Sequence, residues 1–211
     1  MKVLAITGNP KKKGSLADLT AEVVRGVEEG GVEVEVVRLA DLNLGYCRFC
    51  LKCRDATGPQ IASCVQEDGL AGLIEKILEA DGFILACQTS GGHASVLMKT
   101  LIERTCYTLG SPTRRILWVY GCPDCRIRDK QRFAVVVTTA GVVPTWSRAF
   151  CNGANREMAQ HAEGIFNAKV VGRLYGGNVW KHGVTRRVMR KALKAGHALA
   201  ASIAHHSLVR E

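Results

Sequence analysis

The sequence predicts an α/β fold in which an open, five-stranded parallel sheet is covered by helices on both faces. Three observations predict it. Short apolar, β-branched runs alternate with longer segments whose apolar residues recur at helical spacing. The apolar runs are continuous, as in strands buried on both faces. The chain of 211 residues is long enough to bury such a core without disulfide staples.

Each element follows from its own pattern. Val3 to Ile6 is a buried strand, and Gly8-Asn9-Pro10-Lys11-Lys12-Lys13-Gly14 is a loop by its Gly and Pro content. Ser15 reads as an N-cap, after which Leu16, Leu19, Val23, Val24 and Val27 mark one helix face until Gly30-Gly31 ends it. Val32, Val34 and Val36 alternate with Glu33 and Glu35 as a second strand. A cysteine-rich loop covers residues 44–67. Leu70, Leu73, Ile74, Ile77 and Leu78 make the next helix. Gly82 to Cys87 is a third strand ending in a polar loop, Gln88 to His93. A helix with Val96, Leu97 and Leu101 follows. Phe133 to Val137 is a fourth strand ending at Thr138-Thr139-Ala140-Gly141, Val170 and Val171 mark a fifth, and the last helix runs from about Val184 to His205. One piece breaks the alternation: residues 115–130 read as an inserted β-hairpin with Cys122-Pro123-Asp124-Cys125 at its tip. No repeat and no long linker divides the chain, so residues 1–211 are expected to form a single domain.

Composition narrows the function. Hydrophobic residues are 47% and charged residues 23%, which excludes disordered and low-complexity classes. No apolar run reaches ~18 residues, so no membrane-spanning helix is expected. The opening Met1 to Thr7 reads as a strand and is too short for a signal peptide, so the expected location is cytoplasmic. Nine cysteines in a reducing compartment point to metal, redox chemistry or buried thiols. The formal charge of +10 points to an anionic ligand, cofactor or partner.

Two segments carry chemistry. In open α/β sheets ligands bind beyond the carboxyl ends of the strands, and the first loop leads into a helix N-terminus, which attracts anions. The loop is neither a dinucleotide fingerprint nor a Walker A loop; its length and lysines suit one phosphate monoester, and a solvated basic turn is the bland alternative. In the second segment, Cys47, Cys50 and Cys53 form C-x2-C-x2-C, with Cys64 following after ten intervening residues. Three thiolates at that spacing can wrap one face of a cubane and a fourth can close it, which favours a [4Fe–4S] cluster. A tetrathiolate zinc and metal-free packed thiols are the alternatives. Arg48 and Lys52 among the cysteines would offset thiolate charge. Cys122 and Cys125 read as a turn, a redox dithiol or half a zinc site.

Gly8-Asn9-Pro10-Lys11, Gly14-Ser15, the four cysteines of the loop, Ala80-Asp81-Gly82 before a strand, and Lys99 with Glu103-Arg104 occur in that order. Together they resemble the flavodoxin-like NADPH-dependent FMN reductase family, and its iron–sulfur flavoprotein branch most. The resemblance covers residues 1–110 well and the remainder by strand pattern. It implies a flavodoxin-like strand order and an FMN cofactor. The FMN phosphate would lie among Asn9, Lys11, Lys13, Ser15, Leu16 and Ala17. The ring's polar edge would meet the third loop, Gln88, Thr89, Ser90, Gly91 and Gly92, and the fourth, Thr139, Ala140 and Gly141. The third loop lacks the proline and aromatic residue usual in that family. The branch also implies a [4Fe–4S] cluster on Cys47, Cys50, Cys53 and Cys64. No catalytic acid, base or nucleophile is singled out.

The expected function is a flavin-dependent oxidoreductase or electron-transfer flavoprotein. It would pass electrons between a reduced donor, NAD(P)H among the candidates, and either a one-electron carrier such as ferredoxin or a small-molecule acceptor. A homo-dimer or homo-tetramer is implied by the family. Two alternatives stay open. One is a cluster-free NAD(P)H-dependent FMN or quinone-type reductase. The other is a basic nucleic-acid-binding module with a structural metal, suggested by Arg186, Arg187, Arg190, Lys191 and Lys194 but disfavoured by an aromatic content of 6%.

Overall fold

A computed structural model describes residues 1–56 and 61–208. Its elements run β1 (Lys2–Thr7), α1 (Ser15–Glu29), β2 (Glu33–Arg38), α2 (Lys52–Asp55), α3 (Leu70–Glu79), β3 (Gly82–Ser90), β4 (His93–Ala94), α4 (Val96–Cys106), β5 (Gly110–Ile116), β6 (Val119–Cys125), β7 (Arg132–Thr139), α5 (Gly153–Gly164), β8 (Ala168–Gly176), α6 (Val179–His182) and α7 (Arg186–Leu208). The main sheet is parallel in the order β2-β1-β3-β7-β8, the flavodoxin-like arrangement. Thr7 pairs with Ala86, and Gln88 with Thr139, so the loops after β1, β3 and β7 emerge at one edge.

The two-residue period of the strands divides the core. Leu4, Ile6, Phe83, Leu85, Ala134 and Val136 face α3, α4 and α5, where Leu73, Ile77, Met98, Leu101 and Met158 pack. Val3, Ala5, Ile84, Ala86, Val135 and Val137 face α1 and α7, against Leu19, Val23, Val27, Leu199 and Ile203. Each large side chain so buried contributes about 1.5–3 kcal/mol. α1 and α7 touch backbone to backbone. A Cβ on Gly26 would lie 2.3 Å from the Leu193 carbonyl oxygen, and one on Gly196 would lie 2.2 Å from that of Val23. Arg132, fully buried at the start of β7, donates to the carbonyls of Leu78 and Ala80 and so satisfies the end of α3.

Several boundaries differ from the sequence pattern. Gly14, not Ser15, caps α1: Gly14 stands at φ 119°, Asp18 N–H donates to its carbonyl, and Ser15 is the first helical residue. β3 continues through Gln88, Thr89 and Ser90, because Ser90 pairs with His93 across a two-residue Gly91-Gly92 turn with φ of 55° and 87°. The predicted polar loop is thus mostly strand, extended by a hairpin return. The inserted hairpin is real but lies at 110–125 rather than 115–130, with Gly110 paired to Cys125 and Ile116 to Val119. Its tip is Leu117-Trp118, where Leu117 adopts φ 53°. Cys122 and Cys125 are therefore on a strand and not at a tip. Their odd spacing turns them to opposite faces, and Cys125 is buried with its thiol donating to the Ile165 carbonyl at 3.0 Å. That arrangement sets aside both the dithiol and the zinc half-site. α5 has no counterpart in the predicted elements, since its stripe is Ala154, Met158 and Ala162 with Asn155 and His161 buried among them. Among the described residues no helix is long and apolar enough to cross a membrane.

Candidate functional site

The first loop is held from below. Gly8 N–H donates to the Ala86 carbonyl at 2.8 Å, and the Ser95 hydroxyl donates to the Gly8 carbonyl at 2.9 Å. A Cβ on Gly8 would meet Ser95 Oγ at 2.9 Å and Met98 at 3.0 Å, so the loop can lie this close to α4 only with glycine. Asn9 Oδ1 accepts from Lys11 N–H and tightens the turn. The first N–H groups of α1 have no partner inside the helix and carry its positive end.

These pieces meet the carboxyl ends of β3 and β7 in one cleft of about 490 Å³. Asn9, Lys11, Lys13, Ser15, Leu16, Gln88, Thr89, Thr139 and Gly141 all line it. Ala17 instead lines a neighbouring groove beside β2, together with Thr20, Val24 and Val36. Ser90 and the Gly91-Gly92 turn stand outside the lining, and the Gly92 carbonyl accepts from Ala154 N–H at the start of α5. Ala140 is buried behind it, with its N–H on the Gly176 carbonyl and its own carbonyl accepting from Val179 N–H.

Two lining residues were not singled out in the sequence, Val179 and Trp180. The short α6 is clipped onto the loop after β7 by Asn178 N–H to the Val143 carbonyl at 2.7 Å and Trp180 N–H to the Gly141 carbonyl at 3.0 Å. Trp180 is 80% exposed yet stands at the cleft wall, where the third loop offers no aromatic side chain. Its only sequence signal was an isolated tryptophan in a Gly- and Asn-rich stretch. Gln88 Oε1 and Thr89 Oγ1 are both buried without a hydrogen-bond partner among the described residues. Buried unpaired polar atoms are costly, and two on one cleft wall suit a ligand with a polar edge. A cleft with a cationic helix end at one side, unpaired polar atoms in the middle and an indole at the other fits FMN.

The cysteine loop lies on a second support. Arg104 of α4, with no exposed side-chain surface, donates to the Gly45 carbonyl at 2.6 Å, to both Asp68 oxygens at 2.7 and 3.1 Å, and to Cys64 Sγ at 3.4 Å. Asp68 also accepts from the N–H groups of Gly45 and Leu70. Burial pushes the Asp68 carboxyl up, but the bonds from Arg104, Gly45 and Leu70 outweigh it and hold the group below the usual carboxylate range. Phe49 and Leu51 adopt φ of 52° and 60°, turning the chain between the first three cysteines. Cys47, Cys53 and Cys64 are half-buried and Cys50 is exposed. Burial raises the Cys53 thiol, and Cys64, Cys47 and Cys50 raise it further, so the four sulfurs share one neighbourhood. Cys106 is pushed up to about 11, by burial first and then by Cys53 and Cys47.

The donor set has the chemistry a cluster needs. Its sulfurs are not drawn together: among the described residues no three His, Cys, Asp or Glu side chains stand as a metal ion would require. Gly58 and Pro59, in the gap between Cys53 and Cys64, lie outside the described residues. Cys87 is fully buried in β3 and pushed up to about 11 by burial, as a packed thiol would be.

The family model for the NADPH-dependent FMN reductases matches residues 1–123, more than half of the chain. The chain belongs to that family. An iron-sulfur flavoprotein of Methanocaldococcus jannaschii is 32% identical over 105 residues, covering 50% of this chain and 52% of its own length. The chain spans about half the length of the curated relatives it matches. Two solved structures share the fold at low identity. A flavone reductase superposes with TM-score 0.70 at 20% identity, over 97% of this chain and 63% of its own. An NAD(P)H:quinone oxidoreductase from Methanothermobacter marburgensis superposes with TM-score 0.67 at 18% identity, over 93% and 98% respectively.

Proposed function

We propose that this chain is an FMN-dependent oxidoreductase that takes electrons from a reduced donor of the NAD(P)H type and passes them to a quinone-type acceptor or a one-electron carrier such as ferredoxin. The observation that carries the reading is the single cleft uniting the first loop, the carboxyl ends of β3 and β7, and Trp180. When bound, FMN supplies hydride acceptance and exchange of one or two electrons.

The chain's own part is to bind and orient. The N–H groups of Ser15 and Leu16, with Lys11 and Lys13, hold the phosphate at the helix end. Gln88 Oε1 and Thr89 Oγ1 would find hydrogen-bond partners on the ring's polar edge and so orient it. Trp180, at the cleft wall, would offer the ring an aromatic surface and shield it from water. No residue is assigned the role of acid or base, since solvent at the open cleft can supply the proton.

The second half of the proposal is a [4Fe–4S] cluster on Cys47, Cys50, Cys53 and Cys64. It is supported by their spacing, their shared neighbourhood and the similarity to the iron-sulfur flavoprotein of M. jannaschii. The cluster-free quinone-type reductase is the second reading, favoured by the unconverged sulfurs and by the fold shared with the M. marburgensis enzyme. Anaerobic purification with flavin, iron and sulfide counts tests both halves: one FMN with four irons supports the whole proposal, one FMN without iron leaves the second reading, and no flavin after reconstitution refutes both.

A further inference from the structure

Beside the flavin cleft is a second hollow that this reading leaves unused. It has a volume of about 690 Å³ and opens at the same edge of the sheet, between β8, the start of α5 and the turn at 145–149. Tyr175 of β8 lines it, and Tyr175 pairs with Thr138, the residue before the cleft-lining Thr139.

Its lining is strongly cationic. Arg148, Arg156 and Arg173 all contribute, and none of the described residues lining it is acidic. Arg173 is loosely tied to Glu163 at 3.5 Å, while Arg148 and Arg156 have no ion-pair partner among the described residues. Asn152 and Asn155 bring the first turn of the twelve-residue α5 to the same wall, adding the positive end of a helix. Tyr175 is 7% exposed, and its hydroxyl is buried without a hydrogen-bond partner among the described residues. An unsatisfied phenol in a wall of guanidinium groups lacks an acceptor, and an anion would supply one.

We propose that this hollow is an anion subsite that binds the phosphate group of a phosphorylated organic molecule delivered to the flavin. Arg148 and Arg156 would grip the phosphate oxygens and the Tyr175 hydroxyl would donate to one of them. The volume exceeds what a lone ion fills and leaves room for the attached organic part. The phosphate can come from a reduced dinucleotide with a 2′-phosphate or from a phosphorylated acceptor. The inference rests on the flavin reading for the neighbour it serves, but its direct test does not need turnover.

The test is calorimetric titration of FMN-saturated protein with inorganic phosphate and pyrophosphate at low ionic strength. FMN then blocks the first loop. Arg148→Gln and Arg156→Gln should each weaken binding about tenfold, in keeping with loss of a charge-assisted bidentate contact. Tyr175→Phe should weaken it less, and Arg187→Gln on α7 should leave it unchanged. Flavin absorbance should be the same in all four. A rise in KM for NADPH but not NADH in Arg156→Gln would identify the dinucleotide as the source. Weakened phosphate binding with both nucleotides unaffected would identify the acceptor. The proposal is overturned if the wild-type protein binds neither anion, or if Arg187→Gln weakens binding as much as Arg156→Gln. If the protein takes up no FMN, the flavin reading fails on its own. The titration then proceeds with Lys13→Gln as the first-loop control, and equal loss in Lys13→Gln and Arg156→Gln would overturn the subsite.

Discussion

Replacing Arg104 by Met should be among the most damaging single changes outside the hydrophobic core. The guanidinium is wholly buried and makes four polar contacts, two of them to Asp68. Methionine fills much of the volume but leaves the Asp68 carboxylate without its counter-charge and the Gly45 carbonyl without its donor. Removing one partner of a buried ion pair costs about 3–5 kcal/mol. Asp68 keeps its bonds from Gly45 and Leu70 N–H and is 13% exposed, which places the cost near the lower end. For a chain of this size about 3 kcal/mol corresponds to a fall in Tm of roughly 6–12 °C. The assay is thermal and urea unfolding of Arg104→Met, Asp68→Asn and the double variant. The double variant should be more stable than the two single losses added together, because Asp68→Asn removes the orphaned charge. The Asp68 carboxyl is lowered on folding, so the pair's contribution is complete above the ordinary carboxylate range, near pH 4, and is lost as pH falls through the lower folded value. The gap between wild type and Arg104→Met should therefore narrow in strong acid. A Tm change under about 2 °C, or strict additivity in the double variant, would refute the reasoning.

Three further outcomes follow from the structure. Trp180→Ala should weaken FMN binding by about 1 kcal/mol or more and reduce quenching of flavin fluorescence, with thermal stability nearly unchanged because the indole is exposed. If the proposed cluster is bound, Cys50→Ala should abolish the broad visible absorbance of anaerobically purified protein while FMN content stays, whereas Cys122→Ala should leave iron content unchanged. Wild-type stability should decline as pH falls from about 6.5, where unfolded histidine protonates, because burial lowers His161 to about 3. His161→Gln should flatten that decline in urea midpoints.

Much of the fold could be read from the residues because both-face burial writes itself as uninterrupted apolar runs, and β1, β3 and β7 are such runs. The elements that escaped are those where tertiary contact overrides local chemistry. Pro112 and Pro123 sit inside the hairpin strands, which only an edge ribbon tolerates. Leu117-Trp118 turns without a turn residue, while Gly121 and Pro123-Asp124 look like a turn and are strand. The first-loop half of the candidate cleft was visible because a helix N-terminus after a buried strand has a local signature. Trp180 was not, and Arg104 stood out only as part of the motif that carries the resemblance and without its role, since each acts from far along the chain. Trp180 is brought to the cleft by backbone bonds from Asn178, Val179 and Trp180 to the loop after β7, and Arg104 reaches Gly45 across 59 residues.

The central claim is that FMN lies in this cleft with its phosphate at the start of α1, and titration of apoprotein with FMN, with Ser15→Asp in parallel, tests it most directly. A carboxylate at the first helical residue would occupy the phosphate's place and repel it. The account predicts a saturable one-to-one FMN complex for the wild type and, for Ser15→Asp, affinity lower by roughly a hundredfold or more. Equal FMN affinity in the two proteins, or release of FAD rather than FMN from the native protein, would contradict it.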